Sequence, residues 1–155
     1  MTQQMKKINK TKVMLIQPPA WCNNKRDDMN PNVPLGIAYI GGVLEQEGYD
    51  VVMLDAFVEG WDINTRVSPE RIRVGLPFED IQNRISAEKP DVVGITSMFT
   101  SQRKNMHKVV QLVKNVDKEI KVIVGGAHPT SAPESVLSDN NVDAIIMSEG
   151  ENSIH

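Results

Sequence analysis

The chain has 155 residues, 40% of them hydrophobic and 24% charged, which suits one globular domain with a core of ordinary size. Seventeen Lys and Arg face twenty Asp and Glu for a formal net charge of -3, so no basic surface for nucleic acid is expected. The single Cys22 excludes an internal disulfide, no apolar run approaches the roughly 18–20 residues of a membrane span, and the polar start lacks a secretory signal. A cytoplasmic setting is therefore expected.

Residues 1–11 read as a flexible lead-in. Residues 12–17, Lys-Val-Met-Leu-Ile-Gln, form a short apolar run ended by Pro18 and Pro19, the pattern of a buried strand running into a loop. Residues 20–33 carry Asn, Asp, Lys, Arg and Pro without periodicity, so a long loop is expected there. A helix should start near Pro34, because Leu35, Ile37, Ala38, Ile40, Val43 and Leu44 fall on one broad apolar face and Gly48 is placed to end it. Residues 49–54 supply a second strand, and residues 56–76, with Trp61 and Pro69, read as a second irregular stretch. Pro77 in a first turn, acids at Glu79 and Asp80, and Phe78, Ile81 and Ile85 on one face predict the next helix.

A strand at 91–95, a helix at 102–115, a strand at 121–124, a helix after Pro133 and a strand at 142–147 complete the alternation. Five strands alternating with four helices predict an α/β, flavodoxin-like (Rossmann-like) doubly wound parallel sheet in the order 2-1-3-4-5. Such a sheet needs one more helix after its fifth strand, where this chain stops at His155. Residues 12–155 are thus expected to be one domain cut from a longer protein.

Two strand ends carry the functional signal. The third and fourth strands both run into small and hydroxyl residues, and ligands of open parallel sheets sit beyond the carboxyl ends of the strands. Gly125 and Gly126 serve either as a plain turn or as bare backbone on which a flat ligand packs. Thr96, Ser97 and Thr100 either bond a ligand or cap the next helix, and capping is the role expected of Ser101. Taken together at adjacent strand ends, the two clusters predict one pocket wall.

Other candidates fare differently. His128 either donates to a phosphate or amide or packs as a neutral imidazole, while His107 and His155 suggest no metal site. Cys22, next to Trp21, is the one Cys of the sequence, which is weak ground for a metal ligand or a reactive thiolate. Asp55 stands where dinucleotide folds carry a ribose-binding acid, but Pro18-Pro19 replaces the glycine-rich phosphate turn, which disfavours a nucleotide. With no lysine phosphate loop, no Gly-x-Ser-x-Gly elbow and no paired carboxylates, no catalytic residue and no metal ligand is assigned to this chain.

Gln17-Pro18-Pro19, the helix opening Pro34-Leu35-Gly36-Ile37-Ala38-Tyr39-Ile40-Gly41-Gly42, Asp91-Val92-Val93-Gly94-Ile95-Thr96, Gly125-Gly126-Ala127-His128-Pro129-Thr130 and Glu149-Gly150-Glu151 occur in that order. This assembly resembles the amino-terminal cobalamin-binding domain of cobalamin-dependent radical S-adenosylmethionine enzymes. The resemblance implies cobalamin held with its nucleotide tail between sheet and helices. It also implies a following barrel domain with a 4Fe-4S cluster and S-adenosylmethionine, and most often a methyltransferase as the full-length enzyme. Cofactor contacts implied in this chain are Pro18, Pro19, Leu35, Gly36, Thr96, Ser97, Met98, Thr100, Gly125, Gly126, His128, Pro129, Thr130, Glu149 and Gly150.

The wider cobalamin-binding fold carries Ser-x-Leu after the third strand, where this chain has Thr96-Ser97-Met98, and Gly-Gly after the fourth. Its Asp-x-His-x-x-Gly after the first strand has no counterpart, since that loop holds no His; Asp55 to Gly60 copies the spacing with Phe57, but after the second strand. The resemblance therefore implies cobalamin without a protein histidine on cobalt. Ser148 stands where the family has Gly. The alternative is a signalling or interaction domain of the same fold with no cofactor, although Pro18-Pro19 and Thr96-Ser97 occupy the places of a receiver's acidic residues.

Overall fold

Four consecutive buried residues, Val13, Met14, Leu15 and Ile16, make β1 (Lys12–Gln17) a strand covered on both faces, as the centre of a parallel sheet requires. The computed structural model describes residues 10–23, 30–31 and 33–148. After β1 come β2 (Ala20–Asn23), α1 (Leu35–Gln46), β3 (Asp50–Asp55), α2 (Ala56–Glu59), β4 (Asn64–Ser68), β5 (Arg71–Val74) and α3 (Phe78–Glu88). The chain continues through β6 (Val92–Thr96), a 3-10 turn (Thr100–Gln102), α4 (Arg103–Val116), β7 (Lys121–Gly125), α5 (Ala127–Ser131), α6 (Pro133–Leu137) and β8 (Ala144–Ile146). The main sheet has the order β3-β1-β6-β7-β8 with every pair parallel. Counted among its own five strands this is 2-1-3-4-5, the expected flavodoxin-like topology.

The faces of this sheet differ. On one, Met14, Ile16, Val93, Ile95, Val122 and Val124 pack under Ile81 and Ile85 of α3 and Met106, Val109, Val110 and Val113 of α4, all of them buried. On the other, Val13 and Leu15 meet Ile37 and Leu44 of α1. Gly41 lets that helix lie close, because a Cβ there would come within 3.2 Å of the Met53 sulfur and 3.6 Å of Leu15. Helix α1 packs chiefly on β1 and β3, and beside it Gly94, Thr96, Ile123, Gly125 and Ile146 of β6, β7 and β8 line a groove.

The two stretches expected to be loops pair with each other. β2 lies antiparallel to β5, and β5 to β4, in a three-stranded sheet beyond the carboxyl ends of β1 and β3. The Gln102 side chain holds it from α4's side, accepting from Trp21 N (2.8 Å) and donating to Trp21 O (3.0 Å). Buried Asn105 donates to Pro19 O at 2.7 Å. β4 and β5 are neighbours in the chain, but these strands are only four or five residues long and β2 finds β5 about fifty residues further on, so no local periodicity announces the sheet.

Element ends also shift. The single helix expected after Pro133 is preceded by α5, with Pro133 opening α6 at its first position. β8 is shorter than residues 142–147. The helix expected after β8, and residues 1–9 of the lead-in, lie outside the described residues. Ser101 caps nothing: α4 is entered through the 3-10 turn, with no side-chain cap on either.

Candidate functional site

A groove of about 590 Å3 runs along the open face of the sheet beside α1. Its walls follow from strand register. Thr96, Gly125 and Ile146 are neighbours across β6, β7 and β8, and Leu15, Gly94 and Ile123 are neighbours two residues earlier. From α1 come Gly36, Ile37, Ile40 and Leu44, and at the mouth stand Met98, Gly126, Thr130 and Ser148. The strand-end clusters expected to form one wall do so, with Thr96 directly beside Gly125.

The two glycines of the fourth strand end have different jobs. A Cβ on Gly125 would find its nearest neighbour, Ile146, at 3.8 Å, so a side chain there projects into the groove. Gly126 has φ +110, and a Cβ there would lie 2.8 Å from Ser97 O. Gly126 thus serves the close approach of two chain segments, which is fastened by Ser97 N donating to Gly125 O (2.8 Å) and His128 N donating to Ser97 O (2.9 Å).

A second hollow of about 210 Å3 lies at the switch between β1 and β6, lined by Gln17, Pro18, Pro19, Phe57, Ser97 and Phe99 among others. Thr96 and Met98 border both hollows. Ser97 is buried, and its hydroxyl has no partner.

His128 is 1% exposed, with Nδ1 3.1 Å from Thr100 Oγ1 and Nε2 without a partner. Burial, with added repulsion from His107 and Arg103, holds its pKa below the ordinary histidine value, so it packs as a neutral imidazole. Pro129 is buried beside it. Thr130 donates to Gly126 O (2.9 Å) and accepts from Ser148 N (3.0 Å), which ties the end of β8 to the loop after β7. Leu35 is 73% exposed and lies outside both hollows. Glu149 and Gly150 lie outside the described residues.

Asp55 lines neither hollow, and its buried Oδ2 has no hydrogen-bond partner. Its Oδ1 accepts from Phe57 N and Val58 N and so caps α2, and burial raises its pKa. His107 pairs with Asp139 at 2.9 Å. Among the described residues no three His, Cys, Asp or Glu side chains converge as a metal site, and no helix is long and apolar enough to cross a membrane.

Sequence reading missed Gly94 and the aliphatic lining opposite it. The available signal was a lone glycine inside a strand of β-branched residues, which marks a close approach or a space kept clear. A Cβ on Gly94 would come 2.8 Å from Leu15 Cδ2.

The groove suits the nucleotide tail of cobalamin: it has the volume of a ligand site, a bare glycine bed and hydroxyls at its mouth. Comparison with known proteins gives the family. The B12 binding domain family matches residues 30–155. The chain is 39% identical over 142 residues to the cytidylyl-2-hydroxyethylphosphonate methyltransferase of Streptomyces wedmorensis, covering 90% of this chain and 26% of that protein. It is 31% identical over 141 residues to an uncharacterized methyltransferase of Pyrococcus horikoshii, covering 90% and 27%. It thus spans about a quarter of the length of these curated relatives. A cobalamin-binding protein from Desulfitobacterium hafniense DCB-2 shares the fold, with a TM-score of 0.60 at 17% identity over 93% of this chain and 55% of that one. The chain belongs to the B12-binding domain family, and cobalamin is its cofactor.

Proposed function

We propose that residues 12–155 are the cobalamin-holding domain of a radical S-adenosylmethionine methyltransferase. The barrel domain, with its 4Fe-4S cluster and S-adenosylmethionine, belongs to the additional length found in the relatives, and the protein works in the cytoplasm. The observation that carries this reading is the groove beside α1, which Gly125 keeps clear and Thr96 and Thr130 border.

In this reading Gly36, Thr96, Met98, Gly125, Gly126 and Thr130 hold the tail. Thr96 offers its hydroxyl to the polar linker, while Ile37, Ile40 and Ile123 exclude water from the buried part. Pro18, Pro19 and Ser97 line the hollow at the switch point and, with the small sheet, support the rim on which the corrin lies. His128, Pro129 and Thr100 act one step back, fixing the Ser97 and Gly126 segments. Leu35 stands exposed at the start of α1 as a further candidate contact, and the resemblance adds Glu149 and Gly150. The loop after β1 contains no histidine, so no protein imidazole from it reaches cobalt. The bound cofactor supplies the methyl group or the electron.

The test is an absorbance titration of the purified chain with hydroxocobalamin, followed by desalting and a spectrum of the retained pigment. Retention with a base-off spectrum is expected, and Gly125→Leu should lose the pigment while keeping the wild-type circular dichroism. Retention by Gly125→Leu equal to wild type would sink the groove assignment.

A further inference from the structure

We infer that the groove selects corrinoids by their lower base, accepting an apolar benzimidazole and rejecting a purine. This rests on the reading of the groove as the seat of the nucleotide tail.

Strand register divides the groove into three rows. Thr96, Gly125 and Ile146 form the outer row, Leu15, Gly94 and Ile123 the middle row, and Val13 and Val92 the inner row. Each step is two strand residues, so the inner row lies about 13 Å below the outer one. The hydroxyls of Thr96, Thr130 and Ser148 all belong to the outer end. From the middle row inward the strand walls are aliphatic, and Ile40 and Leu44 face them from α1. Tyr49, where the chain leaves α1 for β3, is the single lining side chain at that depth with an oxygen or nitrogen atom among the described residues. The backbone groups of Leu15, Gly94 and Ile123 belong to the strand ladders.

Gly94 makes room in the middle row for the Leu15 side chain, whose Cδ2 lies 2.8 Å from where a Cβ on Gly94 would stand, so the floor of the groove at that depth is aliphatic carbon. A planar base at that depth meets aliphatic carbon from the strands and from α1, with Tyr49 the one polar side chain among the described lining residues there. Dimethylbenzimidazole presents only carbon along its outer edge. Adenine presents an amine and several ring nitrogens, which lose water on entry and find only the Tyr49 hydroxyl as a side-chain partner among the described lining residues, too few to replace it. Apolar sites reject a misplaced polar group by about 10- to 100-fold, so the adenine analogue should bind at least tenfold more weakly.

The experiment compares three ligands on the full chain by absorbance titration: cobalamin, the corrinoid with adenine as lower base, and cobinamide, which has no nucleotide tail. Cobalamin is expected to bind at least tenfold more tightly than either of the others. Ile40→Gln, which brings an amide to the middle of the groove from a helical position, should narrow the cobalamin-to-adenine ratio. A cobalamin preference of less than tenfold over the adenine analogue, with cobinamide still weak, overturns the inference and leaves the tail assignment standing. Cobinamide binding as tightly as cobalamin shows that the tail does not enter the groove, and retention of none of the three overturns the underlying reading as well.

Discussion

On the α3 and α4 face of the sheet, Val93, Ile95, Val122 and Val124 disappear under isoleucines, valines and Met106. On the α1 face, one register step away along the same strands, Gly94, Thr96, Ile123 and Gly125 line an open groove. Both faces belong to the same parallel ladder, and parallel strands ordinarily bury both sides. What separates them is the side chain at alternate positions: branched residues that fill space on one face, glycine and threonine that leave it free on the other. Stability should therefore concentrate on the first face and binding on the second.

The sharpest way to break that contrast is a matched pair of truncations. Ile81→Ala, on the closed face, should cost about 2–5 kcal/mol in urea unfolding, because a fully buried side chain leaves a cavity. Ile123→Ala, on the groove, should cost less than about 1.5 kcal/mol, since its site is already partly open. Equal losses would refute the division.

Adjacent glycines offer a second contrast. Gly126→Ala must accept a φ of +110 and a Cβ against Ser97 O, and thermal unfolding should show a loss of about 1–3 kcal/mol. Gly125→Ala, with 3.8 Å to its nearest neighbour, should stay within about 0.5 kcal/mol of wild type.

The smallest effect concerns His128. Its folded pKa is depressed by burial, so the unfolded chain takes up a proton first as the pH falls. The stability from its neutral form is present above about pH 6.5 and is lost as the pH drops from there through the folded value. Melting curves between pH 7.5 and 5 should show this slope, and His128→Gln should flatten it.

The strand and helix alternation was legible because its signals are local. Apolar runs such as residues 12–17 and the helical spacing of Leu35, Ile37, Ile40 and Leu44 are visible in windows shorter than twenty residues. The pairing of Thr96 with Gly125 was legible too, since the expected strand order makes their strand ends neighbours. The small sheet was not, because β2 and β5 are only four residues each and find each other only across the chain. Residues 20–33 and 56–76 therefore looked like two loops when each supplies strands to one sheet.

Local patterning, with the handedness of crossovers, was enough to specify the parallel sheet, its order and the edge where a ligand belongs, since each strand and helix buries its own periodic face. Contacts between distant segments decided the rest. They set the Gln102 clasp on Trp21, the close approach of Gly126 to Ser97, the burial of His128 and the packing of Leu15 against Gly94. None of these follows from a residue's own neighbours in the chain, because each depends on which backbone or side chain packing brings against it.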